Sequence, residues 1–150
     1  MAMPEPSAPD LIRQLVARYC VALERRDIDT LVELHDADVD TRSELGRGRD
    51  AMRAYYERGM TAIGRSVHLV GTHLIELVDD DHATGVVYSQ AHEERTDTGG
   101  WVVDTLCYLD DYVRGDGAWH FAARRDIHVW FSDPVDVARR TFPADPALWP

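Results

Sequence analysis

His68-Leu69-Val70-Gly71-Thr72-His73-Leu74-Ile75-Glu76-Leu77 marks the point where this chain changes period. Before it, apolar residues recur at helical spacing; from it onward they follow strand-like runs separated by turn residues. An imidazole opening that first strand projects into whatever space helices and sheet enclose. Histidine is also the side chain best suited to moving protons near neutral pH.

Working backward, apolar groups at 12, 15, 16, 19 and 23 form a helical stripe over residues 11–26, with Asp10 as the expected N-cap after Pro9. A shorter helix is predicted over 27–34, with Leu31 and Leu34 inward and His35 closing it, where a cation would meet the helix dipole favourably. Residues 39–45 read as a short strand or loop. Residues 49–63 form a third helix with Met52, Tyr56, Gly59, Met60 and Ile63 on one side.

Working forward, residues 66–78, 83–94, 101–113 and 118–131 are four long strand candidates. Asp79-Asp80-Asp81-His82, Asp97-Thr98-Gly99-Gly100 and Gly115-Asp116-Gly117 connect them, residues typical of hairpin turns. Three helices followed by an antiparallel meander predict an α+β fold in which a strongly curved sheet wraps the helices and leaves a cone-shaped cavity. Tyr19, Tyr56, Tyr88, Tyr108, Trp101 and Trp130 exceed what a small core needs and suit an apolar pocket with polar tips. Residues 1–10 read as a disordered lead, 11–132 as the domain, and 133–150 as an irregular tail that could act as a pocket lid or subunit contact.

Of the 150 residues, 45% are hydrophobic and 29% charged, the balance of a soluble globule, and no apolar run approaches membrane-spanning length. The 16 basic residues are all arginine and scattered, against a net charge of −11, which argues against nucleic acid as a partner. Met1 to Asp10 lacks the positive start and apolar core of a signal peptide, and Cys20 and Cys107 read as buried free thiols, so a cytoplasmic location is expected. There is no nucleophile elbow, P-loop or dinucleotide fingerprint, and no His-x-His or Glu-x-x-His pair for a metal, so neither cofactor nor metal is expected. Asp104, Asp110 and Asp111 read as solvated strand edges. His73, His120 and His128 lie in strands on faces the pattern does not fix.

Three stretches together resemble the SnoaL-like branch of the nuclear-transport-factor-2-like superfamily, a branch that includes dehydratases and a dehydrochlorinase. They are residues 18–27, with Tyr19 and Glu24 in a Tyr-x4-acid arrangement; Val67-His68-Leu69-Val70-Gly71; and the final hairpin from Tyr108-Leu109-Asp110 through Trp119-His120-Phe121. The resemblance implies a cystatin-like cone-shaped barrel, three N-terminal helices packed on a mostly antiparallel sheet. It also implies His68 as catalytic base, Glu24 as its carboxylate partner, Tyr19 as a catalytic phenol, and His92 near a second catalytic histidine. Glu24 replaces the usual aspartate, and Tyr108 stands where a substrate-binding asparagine is found.

The expected activity is that of a cofactor-independent lyase or isomerase acting on an apolar, cyclic or polyketide-like molecule. A carboxylate bonded to the imidazole would orient it and stabilise its cation. His92, Tyr88, Tyr108, Tyr56, Met60 and Trp130 would line the substrate site, with Tyr88 following His92 because the two share a strand face at period two. The alternatives are a non-catalytic binding or partner-subunit module, and a polyketide cyclase or epoxide-opening enzyme. Apolar groups on both faces of the later strands predict a homo-oligomer, with a trimer slightly favoured over a dimer.

Overall fold

The computed structural model describes residues 5–131; the expected tail at 133–150 lies outside them. Helix α1 spans Ala8–Arg25, α2 Ile28–Glu33 and α3 Arg49–Gly59; the strands are β1 His35–Asp40, β2 Ile63–Leu77, β3 His82–Arg95, β4 Trp101–Gly115 and β5 Ala118–Phe131. The architecture is α+β, three helices against one curved, mostly antiparallel sheet ordered β1-β5-β4-β3-β2. The sheet has five strands rather than four, because His35–Asp40 adds a parallel strand beside β5.

Ile12, Leu15, Val16, Tyr19 and Ala22 are the buried stripe of α1, as its spacing predicts. The helix starts earlier than expected: Ser7, not Asp10, is the N-cap, its hydroxyl accepting from the Asp10 N–H. It ends at Arg26, whose left-handed φ of 57° stops the helix. The Arg26 guanidinium then donates to the carbonyls of Ile63 (2.6 Å), Gly64 (2.9 Å) and Met60 (2.7 Å), tying the end of α1 to the start of β2. Asp27 caps α2 through the Thr30 N–H and hydroxyl.

The β4–β5 hairpin turns at Asp116-Gly117, both at positive φ (52° and 80°), the backbone a tight hairpin between twisted strands requires. The sheet's inner face meets the helices around Phe121, Leu31, Val39 and Val87, all fully buried.

Two expectations fail here. His35 is fully buried and does not act as a cation on a helix end. Its Nδ1 donates to the Leu31 carbonyl at 2.7 Å, which leaves Nε2 to accept from the Tyr56 hydroxyl at 3.3 Å. Burial, the largest cause, pushes its pKa down to about 4, so the ring is neutral.

Asp104 and Asp110 are not solvated either, at 2% and 3% exposure, while neighbouring Asp111 is exposed. Asp110 faces inward directly opposite Arg124, which grips both of its oxygens at 2.7 and 2.6 Å; the Tyr112 hydroxyl donates to it as well, at 2.7 Å. The guanidinium carbon of Arg124 lies 4.4, 4.2 and 4.4 Å from the ring centres of Tyr19, Tyr108 and Phe121. Gly85 is required beside this cluster, since a Cβ there would come within 2.8 Å of the Tyr112 ring.

Candidate functional site

The open end of the cone is a cavity of about 540 Å³ between the helices and the inner sheet face. His68, Tyr19, Tyr56, Met60 and Tyr108 all line it, as expected from sequence. Burial raises the pKa of the Tyr19, Tyr56 and Tyr108 hydroxyls, with Arg124 partly countering it. At neutral pH these phenols are therefore protonated and able to donate hydrogen bonds.

Glu24 does reach His68, but not its ring. Its Oε1 accepts from the His68 backbone N–H at 2.8 Å, and no hydrogen bond joins the carboxylate to the imidazole among the described residues. The topology supplies the reason. Strand β2 is a sheet edge, and Glu24, in the last turn of α1, takes one of the N–H groups an edge presents. The contact fixes where the strand carries His68 and leaves the ring unoriented by it.

The His68 Nδ1 is buried with no hydrogen-bond partner among the described residues. Burial first, and the nearby Arg124 cation second, lower the His68 pKa to about 4, opposite to the rise a bonded carboxylate would produce.

Three expected lining residues face away. His68 pairs with Ala91, which is fully buried, so alternation turns His92 and Tyr88 to the outer face of the sheet; Tyr88 is 46% exposed. Trp130 is 57% exposed, because a register shift separates the pairs Thr105–Trp130 and Leu106–His128. That bulge flips Trp130 outward, although it shares parity with His128.

Five carboxylates and imidazoles that the sequence reading did not select also line the cavity: Glu44, which pairs with Arg58, and Glu93, Asp104, Asp126 and His128. His128 Nδ1 lies 2.6 Å from Asp104 Oδ2, and its Nε2 is 3.7 Å from Asp126 Oδ2. The other Asp104 oxygen, Oδ1, is buried without a partner among the described residues. Burial raises the pKa of both Asp104 and Glu93, the latter further through the Asp104 charge, while His128 opposes the shift in each. A usable signal was present in the sequence: counting outward from the Asp116-Gly117 turn brings Asp104 close to His128 on facing strands.

The sequence matches the SnoaL-like domain family over residues 7–125. No curated protein matches it significantly. Among solved structures, it is similar to a type 2 hexachlorocyclohexane dehydrochlorinase, LinA, with a TM-score of 0.79 and 16% identity over 92% of this chain and 95% of that one. A scytalone dehydratase-like protein of Novosphingobium aromaticivorans gives 0.73 and 23% identity, covering 82% and 85%. A Mycobacterium tuberculosis protein of unknown function, Rv3472, gives 0.68 and 28% identity, covering 79% and 74%.

Proposed function

The chain belongs to the SnoaL-like domain family, and from that premise we propose that it is a cofactor-independent lyase or isomerase of dehydratase type. Its substrate is an apolar, cyclic or polyketide-like small molecule held in the cone, and His68 removes a proton beside a carbonyl or leaving group. The observation that carries this reading is His68 itself: a neutral imidazole in the cavity wall, with an unpaired buried nitrogen and with the phenols of Tyr19 and Tyr108 lining the same space.

A pKa near 4 makes His68 a weak base in the empty cavity, yet leaves it wholly in its proton-accepting form at neutral pH. The imidazolium is stabilised when negative charge develops on the substrate beside it, so the stabilisation appears in the transition state rather than before it. Tyr19 and Tyr108 donate to the developing oxyanion. Glu24 holds the strand at His68, and is a positioning residue.

The test is deuterium uptake in D2O, followed by NMR, at the α-carbon of cyclic ketones bearing a β-hydroxyl. Enzyme-dependent exchange is expected, falling by about 10²- to 10⁴-fold in His68→Ala while circular dichroism and the melting curve stay unchanged. Absence of exchange across the panel, or equal exchange by a folded His68→Ala, overturns the assignment.

The ring's lack of a carboxylate partner favours one second reading, a non-catalytic binding module. In that case the ketones bind without exchanging.

We also propose that the protein is a homo-oligomer. Leu69, Leu74, Val129 and Trp130 are each more than half exposed on the sheet, and a second copy would bury them. Light scattering giving a mass near 17 kDa contradicts it.

A further inference from the structure

Resting on the proton-transfer reading of His68, we propose that His128 is a second catalytic residue, the general acid that protonates a departing hydroxyl, with Asp104 as the residue that positions it. His68 on β2 stands opposite Ala91 on β3, and Ala91 stands opposite Asp104 on β4. Residues opposite one another in adjacent strands point to the same face, so His68, Ala91 and Asp104 form one row on the cavity side. Two strand spacings separate the ends of this row, roughly 9.5 Å between backbones. Only the methyl of Ala91 stands between them. The row is therefore a slot with an imidazole at one end and a carboxylate–imidazole pair at the other, wide enough for a small ring.

The Asp104–His128 pair has the features the His68–Glu24 pair lacks. Its carboxylate meets the ring itself, at 2.6 Å, through Nδ1, so Nε2 is the nitrogen that gives or takes a proton. Asp126 Oδ2 lies 3.7 Å from Nε2, so a second carboxylate stands beside the same ring. Asp104 is 2% exposed with its Oδ1 unpartnered, a buried acceptor facing a cavity that accommodates a donor. Such a group is costly unless something bonds it, and a substrate hydroxyl is a donor of the right kind.

The remaining charged groups lining the cavity are accounted for. Glu93 on β3 lies near Asp104; Arg26 is engaged with three carbonyls; Glu44 and Arg58 pair with each other; and Arg95 lies within 3.6 Å of Asp97.

The step balances. The carbon–hydrogen bond breaks, its proton passes to a ring nitrogen of His68, and its electron pair becomes the new carbon–carbon π bond. The carbon–oxygen bond breaks with its pair, the oxygen takes the Nε2 proton of His128, and water leaves. His68 then releases its proton to solvent, and His128 regains one from it.

The experiment compares deuterium exchange with elimination for the wild type, His128→Asn, Asp104→Asn and Asp104→Glu. The substrates are a cyclic β-hydroxy ketone and its β-acetoxy analogue, whose leaving group needs no proton. His128→Asn is expected to slow loss of hydroxide about 100-fold while leaving α-exchange and loss of acetate within about threefold. Asp104→Asn follows it, and Asp104→Glu recovers part of the rate. Equal slowing of both leaving groups marks a structural role and overturns the assignment, as does an unchanged rate with the hydroxy ketone. Exchange by the wild type without elimination overturns this assignment alone. A wild type silent in both assays overturns it together with the reading of His68.

Discussion

Strands β4 and β5 present two acid–base pairs six residues apart on β4, and they are built for opposite purposes. At Asp110 both carboxylate oxygens are bonded by Arg124, Tyr112 adds a third donor, and aromatic rings lie against the guanidinium. At Asp104 one oxygen meets His128 and the other meets nothing among the described residues, while the partner ring is largely exposed. The first pair is buried on both sides, at 6% and 0% side-chain exposure, and the second lines the cavity. Burial sets the price of charge in both places, and what differs is whether the remaining hydrogen-bonding capacity is used up internally or left for a ligand.

The largest expected effect comes from opening the closed pair. Asp110→Ala leaves Arg124 buried and uncompensated, and should cost about 3–5 kcal/mol in urea denaturation. A loss below about 1 kcal/mol would mean that the two carboxylates are equivalent.

Next is the response of stability to acid. The folded pKa of His35 is about 4 against an ordinary value of 6.5. Above pH 6.5 both states are neutral. Between 6.5 and 4 the unfolded chain takes up a proton that the native chain refuses, so stability falls as pH drops and levels off below 4. The size is about 3 kcal/mol for a fully buried ring; His68 adds a titration of the same sign. His35→Gln, which does not titrate, should show a fall smaller by about that amount.

The smallest effect is expected at Asp104→Asn, within about 1 kcal/mol of wild type, because its partner is solvent-exposed. A large loss there would make Asp104 structural and erase the contrast with Asp110.

Much of this is legible in the sequence. Helical spacing identified the buried face of α1, and Tyr19 with it; turn residues delimited the four long strands; the period change located His68. What escaped was set by pairing rather than by local pattern. The parallel strand at His35 has no periodicity of its own in six residues. His92 was misplaced because an alternating strand does not reveal which of its faces is inward until a neighbour such as Ala91 fixes it. Trp130 was misplaced by a bulge that period-two reasoning cannot see. Glu24 approaches His68 at the backbone N–H rather than at the imidazole expected from sequence, because β2 is a sheet edge with N–H groups to satisfy. Asp104 and His128 carry no local pattern; their pairing is legible only by counting the hairpin register back from the Asp116-Gly117 turn.

The central claim is that His68 accepts a proton from carbon. It is tested most directly by the pH dependence of α-deuterium exchange, measured as kcat/KM for the wild type and for His68→Ala. The expected profile for the wild type loses activity on the acid side with an apparent pKa near 4, the value of the buried ring, and the limb disappears with the activity in His68→Ala. An acid limb near the ordinary histidine value that persists in a folded His68→Ala variant would contradict it and assign the proton transfer to another residue.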